Sequence, residues 1–225
     1  MIKITIIFLM LFVFPVSLQA LTVQEHYDAA AAALEEGDYY KAVEHLQKAV
    51  DSNPGIPQLH NALGIALTKK YGTLNRSMAS FDKAIQLDPH YGEPYFNIGT
   101  FHAGVTRDLV LATEYFEKAI EVDPRYARPY MGLGWLYLQR EDARKAVGYF
   151  QQALDIDSNI ADAHYGLGLS YAALKKTELT LEPITTLRAL GRADLASAIE
   201  SLLVNNSKEE LEDPLAQELD AAPTV

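Results

Sequence analysis

The sequence predicts an all-α protein, a right-handed α-solenoid of paired helices closed by a C-terminal capping helix. Three observations carry this expectation. A motif ending in Asp-Pro or a close variant returns every 34 or 35 residues, a Leu-Gly step keeps the same register, and apolar residues recur at helical spacing between these markers.

The chain opens with a different kind of segment. Met1 and Lys3 give a minimal positive start, Ile4 to Phe14 is almost unbroken apolar sequence, and Pro15 leads to Ser17, Leu18, Gln19 and Ala20. This reads as a signal peptide over residues 1–20, cut after Ala20, with an uncleaved membrane anchor as the alternative. In both cases Lys3 stays inside and the rest of the chain is exported, to a periplasmic or extracellular location, facing outward if anchored. With no cysteine, disulfides, thiolate zinc sites and a lipid-carrying cysteine are excluded.

The repeat follows. Ala49-Val50-Asp51-Ser52-Asn53-Pro54, Ala84-Ile85-Gln86-Leu87-Asp88-Pro89, Ala119-Ile120-Glu121-Val122-Asp123-Pro124 and Ala153-Leu154-Asp155-Ile156-Asp157-Ser158 start 35, 35 and 34 residues apart. Ala29-Ala30, Leu63-Gly64, Ile98-Gly99, Leu133-Gly134 and Leu167-Gly168 keep the same period. In the fourth repeat Tyr130, Leu133, Gly134 and Tyr137 make one stripe, and Ala146, Phe150 and Ala153 make another after the polar break Arg140-Glu141-Asp142. Each repeat is therefore two short helices, and since neither buries its stripe alone, neighbouring repeats must stack. The Asp-Pro step ends the second helix because the residue before proline is forced out of the α region. The recurring mid-helix glycines, each costing about 1 kcal/mol in propensity, point to close helix approach.

Repeats are expected near 23–56, 57–91, 92–126 and 127–160, with a degenerate fifth at 161–191 and a cap at 192–205, all within one 21–205 solenoid. Repeats two and three carry one extra residue, near Tyr71 and Val105. Placed in the turn between paired helices, it reads as a loop insertion, because one more helical residue would rotate the apolar stripe by about 100°, and both turns are expected to be longer or locally distorted. After Lys175 the pattern decays. A helix beginning near Leu181 tolerates Pro183 in its first turn, Gly191 reads as its C-cap, and Leu195, Ile199, Leu202 and Leu203 form the apolar face of the cap. Residues 206–225 read as an acidic disordered tail; from Lys208 on they carry six acidic residues, two prolines and no aromatic.

These motifs resemble the tetratricopeptide repeat family. Tyr95, Ile98-Gly99, Ala112, Phe116, Ala119 and Pro124 fit its pattern with His102 at the first-helix tyrosine position. Tyr130, Leu133-Gly134, Tyr137, Ala146, Phe150 and Ala153 fit it with Ser158 in place of the closing proline. The likeness covers about residues 23 to 175 and implies a fold whose first helices line the concave side. Family members that clamp the acidic C-terminus of a cytosolic chaperone use basic and asparagine residues there. Here the matching early positions are Tyr27, Ala31 and Asn61, so that clamp is not assembled.

The outward first-helix positions form the candidate partner site. They include Tyr27 in repeat one and Asn61 and Ile65 in repeat two. Glu93 and Phe96 follow in repeat three, then Arg128, Met131, Trp135 and Leu138 in repeat four and Tyr165 and Leu169 in repeat five. Large aromatics and methionine on a surface facing water are residue types that anchor interfaces. For Trp135, the only tryptophan, an inter-repeat core position is the alternative.

Catalytic chemistry is missing. His26, His60 and His164 take the first-helix aromatic position and read as packing residues, while His45 and His90 have no spaced partner. Asp88, Asp123 and Asp157 belong to helix ends. No Gly-x-Ser-x-Gly, His-Glu-x-x-His, phosphate loop or EF-hand motif is present. No enzyme activity, metal or cofactor is expected. A net charge of -11 without a basic cluster excludes nucleic acid. The expected function is a protein-interaction scaffold or adaptor holding a peptide or helix in an apolar concave groove. The alternative is an assembly subunit of an envelope or secretory complex using convex or end surfaces, or a homo-oligomer. Membrane association is expected only through an uncleaved N-terminus or a partner complex.

Overall fold

The computed structural model describes residues 23–70 and 74–212, with side chains through residue 206. The expected signal segment, the insertion near Tyr71 and the end of the acidic tail lie outside the described residues. Among those described there is no strand, and they divide into two compact bodies between Asp123 and Pro124.

The N-terminal body holds α1 (23–35), α2 (Tyr39–Ser52), α3 (Pro57–Lys69), α4 (Leu74–Leu87), α5 (Gly92–Phe101) and α6 (Leu109–Val122). The C-terminal body holds α7 (Ala127–Gln139), α8 (Ala143–Ile156), α9 (Ala161–Ala173), a short 3-10 turn (Thr177–Thr180), α10 (Leu181–Ala189) and α11 (Ala193–Glu212). Odd-numbered helices pair with the even-numbered helices that follow them, as in α3 with α4, α5 with α6 and α7 with α8. Each body is thus a series of helix pairs, and α11 lies against both α9 and α10 as a terminal cap.

Local chemistry sets the ends of these helices. The turn inside a pair puts one residue in the left-handed region, Gly37 (φ 76), Arg107 (φ 57) or Glu141 (φ 61), which reverses the chain after the first helix. An aspartate follows at once. Asp38, Asp108 and Asp142 accept hydrogen bonds from the backbone N–H of Lys41, of Val110 and Leu111, and of Lys145, satisfying otherwise orphaned donors of α2, α6 and α8. At the other end, the N–H groups of Asn53, Asp88, Asp123 and Asp157 bond to the carbonyls of the recurrent Ala49, Ala84, Ala119 and Ala153. The side chains of Asn53, Asp88 and Asp157 then accept from the N–H two residues on, forming Asx turns. Their recurrence is turn chemistry.

The first-helix aromatic position has an equally local role. Tyr95 and Tyr130 donate their hydroxyls to the carbonyls of Pro89 and Pro124, six residues back. His60 and His164 make the same bond through Nε2, 2.9 Å from the carbonyls of Pro54 and Ser158. A ring with a donor at its tip serves in each case, so histidine replaces tyrosine. His26 differs: its Nδ1 lies 3.1 Å from Nδ1 of His45 on α2, and the rings stand 5.3 Å apart. His45, expected to be without a partner, therefore joins α1 to α2.

The glycine register determines packing. A Cβ on Gly64 would lie 2.5 Å from the Phe81 ring, on Gly99 2.6 Å from Phe116, and on Gly134 2.7 Å from Phe150. The second-helix phenylalanine occupies the space that the first-helix glycine leaves open, and Phe81, Phe116 and Phe150 are all buried. Gly168 makes room for the cap in the same way, its virtual Cβ falling 2.5 Å from Cδ1 of Ile199.

Two regions take a more definite form than the sequence alone specified. The extra residue near Val105 is taken up as a local distortion and not as a longer loop: His102–Thr106 forms a π-helical turn continuing α5, closed by the Arg107 and Asp108 N–H groups on the His102 carbonyl. A π turn absorbs one residue inside a helix without turning the preceding stripe, and so solves the phase problem differently. At the C-terminus, α10 starts at Leu181 with Pro183 in its first turn and Gly191 at φ 75 just beyond its end. The backbone of α11 continues to Glu212, into the segment assigned to the tail.

Candidate protein-binding site

In the N-terminal body the predicted residues have contrasting fates. Tyr27 on α1 is 41% exposed. Ile65 and Phe96 are half-buried, and the Phe96 ring lies tilted against Phe116 at 5.6 Å. Asn61 departs from the expectation of a surface residue: it is 3% exposed and belongs to an internal polar network.

That network joins α3 to the start of α5. Asn61 donates through Nδ2 to the Tyr91 hydroxyl and to Glu93 Oε2, both at 3.1 Å, and accepts at Oδ1 from Asn97 Nδ2 at 2.8 Å. Tyr91 donates to the same Glu93 oxygen at 2.7 Å. Burial, and then the bond to the Glu93 carboxylate, raise the Tyr91 hydroxyl well above its ordinary pKa. At neutral pH it is protonated and remains a donor. The sequence marked Glu93 as an outward position but gave Tyr91 and Asn97 no role. The available signal was the near-repeat spacing of Asn61 and Asn97.

In the C-terminal body Arg128 is exposed, whereas Met131, Trp135, Leu138, Tyr165 and Leu169 are half-buried. Met131, Trp135 and Leu138 pack against the cluster of Ala146, Phe150, Ala153, Ala163 and Leu167. The Trp135 indole stands edge-on to Phe150 at 5.2 Å and 6.0 Å from Tyr165. Tyr165 and Leu169 pack against the cluster formed by Ile184, Leu187, Ala196 and Ile199, so the chain's own cap takes up part of that face. Trp135 is thus a half-buried packing residue, part of the inter-repeat core that was the alternative read from the sequence. Trp135→Ala is expected to lower stability by about 2 kcal/mol, from partial burial plus the lost aromatic pair, which urea unfolding reads directly. Retention of wild-type stability would make the indole a pure surface residue.

Among the described residues no group of three or more histidine, aspartate or glutamate side chains is placed to hold a metal ion, and no helix is long and apolar enough to cross a membrane.

A family profile described as Tetratricopeptide repeat matches residues 24–91, 107–160 and 131–179. No curated protein sequence matches the chain. Several solved structures are similar. MamA 41-end from Desulfovibrio magneticus RS-1 is 23% identical, with 76% of this chain and 96% of that chain covered and a TM-score of 0.56. A double mutant of MamA RS-1 is 23% identical over 77% and 96%, with a TM-score of 0.57. The Pseudomonas aeruginosa pilF protein is 17% identical over 90% and 98%, with a TM-score of 0.61. At these identities the likeness is one of fold.

Proposed function

The chain belongs to the tetratricopeptide repeat family, and from that premise we propose that it is an exported, non-enzymatic assembly scaffold whose exposed helix and turn surfaces hold other protein chains, further copies of itself included. One observation carries the reading. The first-helix residues of the C-terminal body are largely consumed by internal packing, while large apolar side chains stand in water elsewhere: Tyr40 is 69% exposed, Val110 73% and Leu181 69%. All three lie at or near the start of second helices, away from the predicted groove. In each body such a residue has a second exposed apolar residue close to it in sequence, Val105 before Val110 and Leu179 before Leu181. Apolar side chains left in water at turns are what an assembly surface covers.

Sedimentation of the mature chain from Leu21 tests this. Its mass is expected to rise with concentration above that of a monomer, and Val110→Glu with Leu181→Glu is expected to return it to the monomer. A monomer at every concentration, unchanged by the substitutions, would sink the self-assembly arm. Mass spectrometry of the exported fraction reads the N-terminus: cleavage gives Leu21, and retained Lys3 establishes the anchor.

A finer reading, a peptide or helix held on the first-helix face, has a separate support in the N-terminal body. There Tyr27 is exposed, and the Asn61 network fixes the orientation of the exposed Glu93.

A further inference from the structure

Glu93 is an exposed carboxylate held by neutral groups. Its Oε2 accepts from the Tyr91 hydroxyl and from Asn61 Nδ2, while among the described residues Oε1 has no hydrogen-bond partner and no cation forms an ion pair with the carboxylate. Most exposed carboxylates are mobile, and fixing one for a ligand costs side-chain entropy. Here that cost falls on folding, through a buried asparagine and a half-buried tyrosine. Glu93 lies in the first turn of α5, so the helix backbone holds its Cα in a fixed place relative to Tyr91 and Asn97.

Hydrogen-bond logic extends the site by one atom. Asn61 must present its NH2 to Glu93 and Tyr91, so its Oδ1 faces Asn97 and receives the Asn97 NH2. The Asn97 Oδ1 is thereby turned away from Asn61, one helical turn along α5 from Glu93. The network draws donors inward and leaves two acceptors, Glu93 Oε1 and Asn97 Oδ1, on the same helix face.

We propose that this face of the N-terminal body is a subsite for an arginine side chain of a partner protein. A guanidinium carries several N–H donors in one plane and no acceptor, complementary to two acceptors of which one is charged. A lysine ammonium would engage the carboxylate as a point charge and make less of the second acceptor. A metal ion lacks ligands here, since no cluster of three suitable side chains exists among the described residues. The inference rests on the finer reading above, in which the first-helix face meets another chain, and is independent of self-association through Val110 and Leu181.

A random-peptide display library panned against the full-length protein provides the test. Peptides retained by the wild type are expected to be enriched in arginine at one fixed position. Glu93→Gln preserves an acceptor for Tyr91 and Asn61 but removes the charge, and is expected to bind the selected peptides about tenfold more weakly with unchanged circular dichroism. Replacing the selected arginine by citrulline, its neutral analogue, is expected to weaken wild-type binding by the same factor and to leave Glu93→Gln little affected. Failure to select arginine, lysine serving equally at that position, or enrichment that survives Glu93→Gln would each overturn the assignment. None of these outcomes depends on the sedimentation result.

Discussion

Phe150→Ala is expected to lower the unfolding free energy by about 3 to 5 kcal/mol, the range for removing a fully buried aromatic ring. That is a large part of the stability of an ordinary domain. Phe150 is 0% exposed and is clasped from two sides: a Cβ on Gly134 would lie 2.7 Å from its ring, and one on Gly166 only 2.2 Å. Trp135 meets it edge-on at 5.2 Å. The ring is the common filling between α7, α8 and α9, so the cavity it leaves cannot close by moving one side chain. A double-mutant cycle sharpens the test. Gly166→Ala in the wild type drives a methyl group into the ring and is expected to cost about 1 to 3 kcal/mol, despite the better helix propensity of alanine. In the Phe150→Ala background the obstacle is gone, and the same substitution is expected to stabilise by about 1 kcal/mol. Urea unfolding of the four proteins reads the change of sign. A Gly166→Ala effect that is identical in both backgrounds would mean that α9 does not sit against Phe150.

The repeat was legible because its markers are coupled physically. Phenylalanine at 81, 116 and 150 requires glycine at 64, 99 and 134, so one feature predicts the other, and the Asp turns use side chain and backbone together. Features that occur once carried no such signal. The residue inserted near Val105 could be absorbed by a longer loop or by a π turn, and counting residues does not separate the two. His26 and His45 meet across a single helix pair that no other repeat copies. The exposure of the candidate positions was not legible. A helical wheel turns Trp135 away from the Leu133 stripe, yet Phe150 and Tyr165 come from other helices and half-bury it. Asn61 shows the same gap: its surroundings are supplied by Tyr91, Glu93 and Asn97, 30 to 36 residues away.

Truncation before Ala193 is expected to cost the C-terminal body at least about 3 kcal/mol and to make the protein associate. The estimate follows from what α11 buries. Ala196 and Ile199 are both 0% exposed in a cluster with Ile184 and Leu187, and Leu195 and Leu203 pack around them with Tyr165 and Leu169. Burying one isoleucine or leucine side chain contributes about 1.5 to 3 kcal/mol, and α11 supplies three of them together with the cover over Leu187. The paired Arg188 and Glu200 add little, since both side chains are substantially exposed. Removing the helix leaves Leu169, Ile184 and Leu187 as a contiguous apolar face, which a second molecule can cover. Truncation after Ser207 is the control. It removes six acidic residues, two prolines and no aromatic, the last residues of α11 among them, and is expected to change stability by no more than about 0.5 kcal/mol. Urea unfolding and light scattering of the two truncated proteins measure both effects at once. Equal stability and equal mass in the pair would deny α11 its role as a cap, and would leave the buried positions of Ala196 and Ile199 without an energetic consequence.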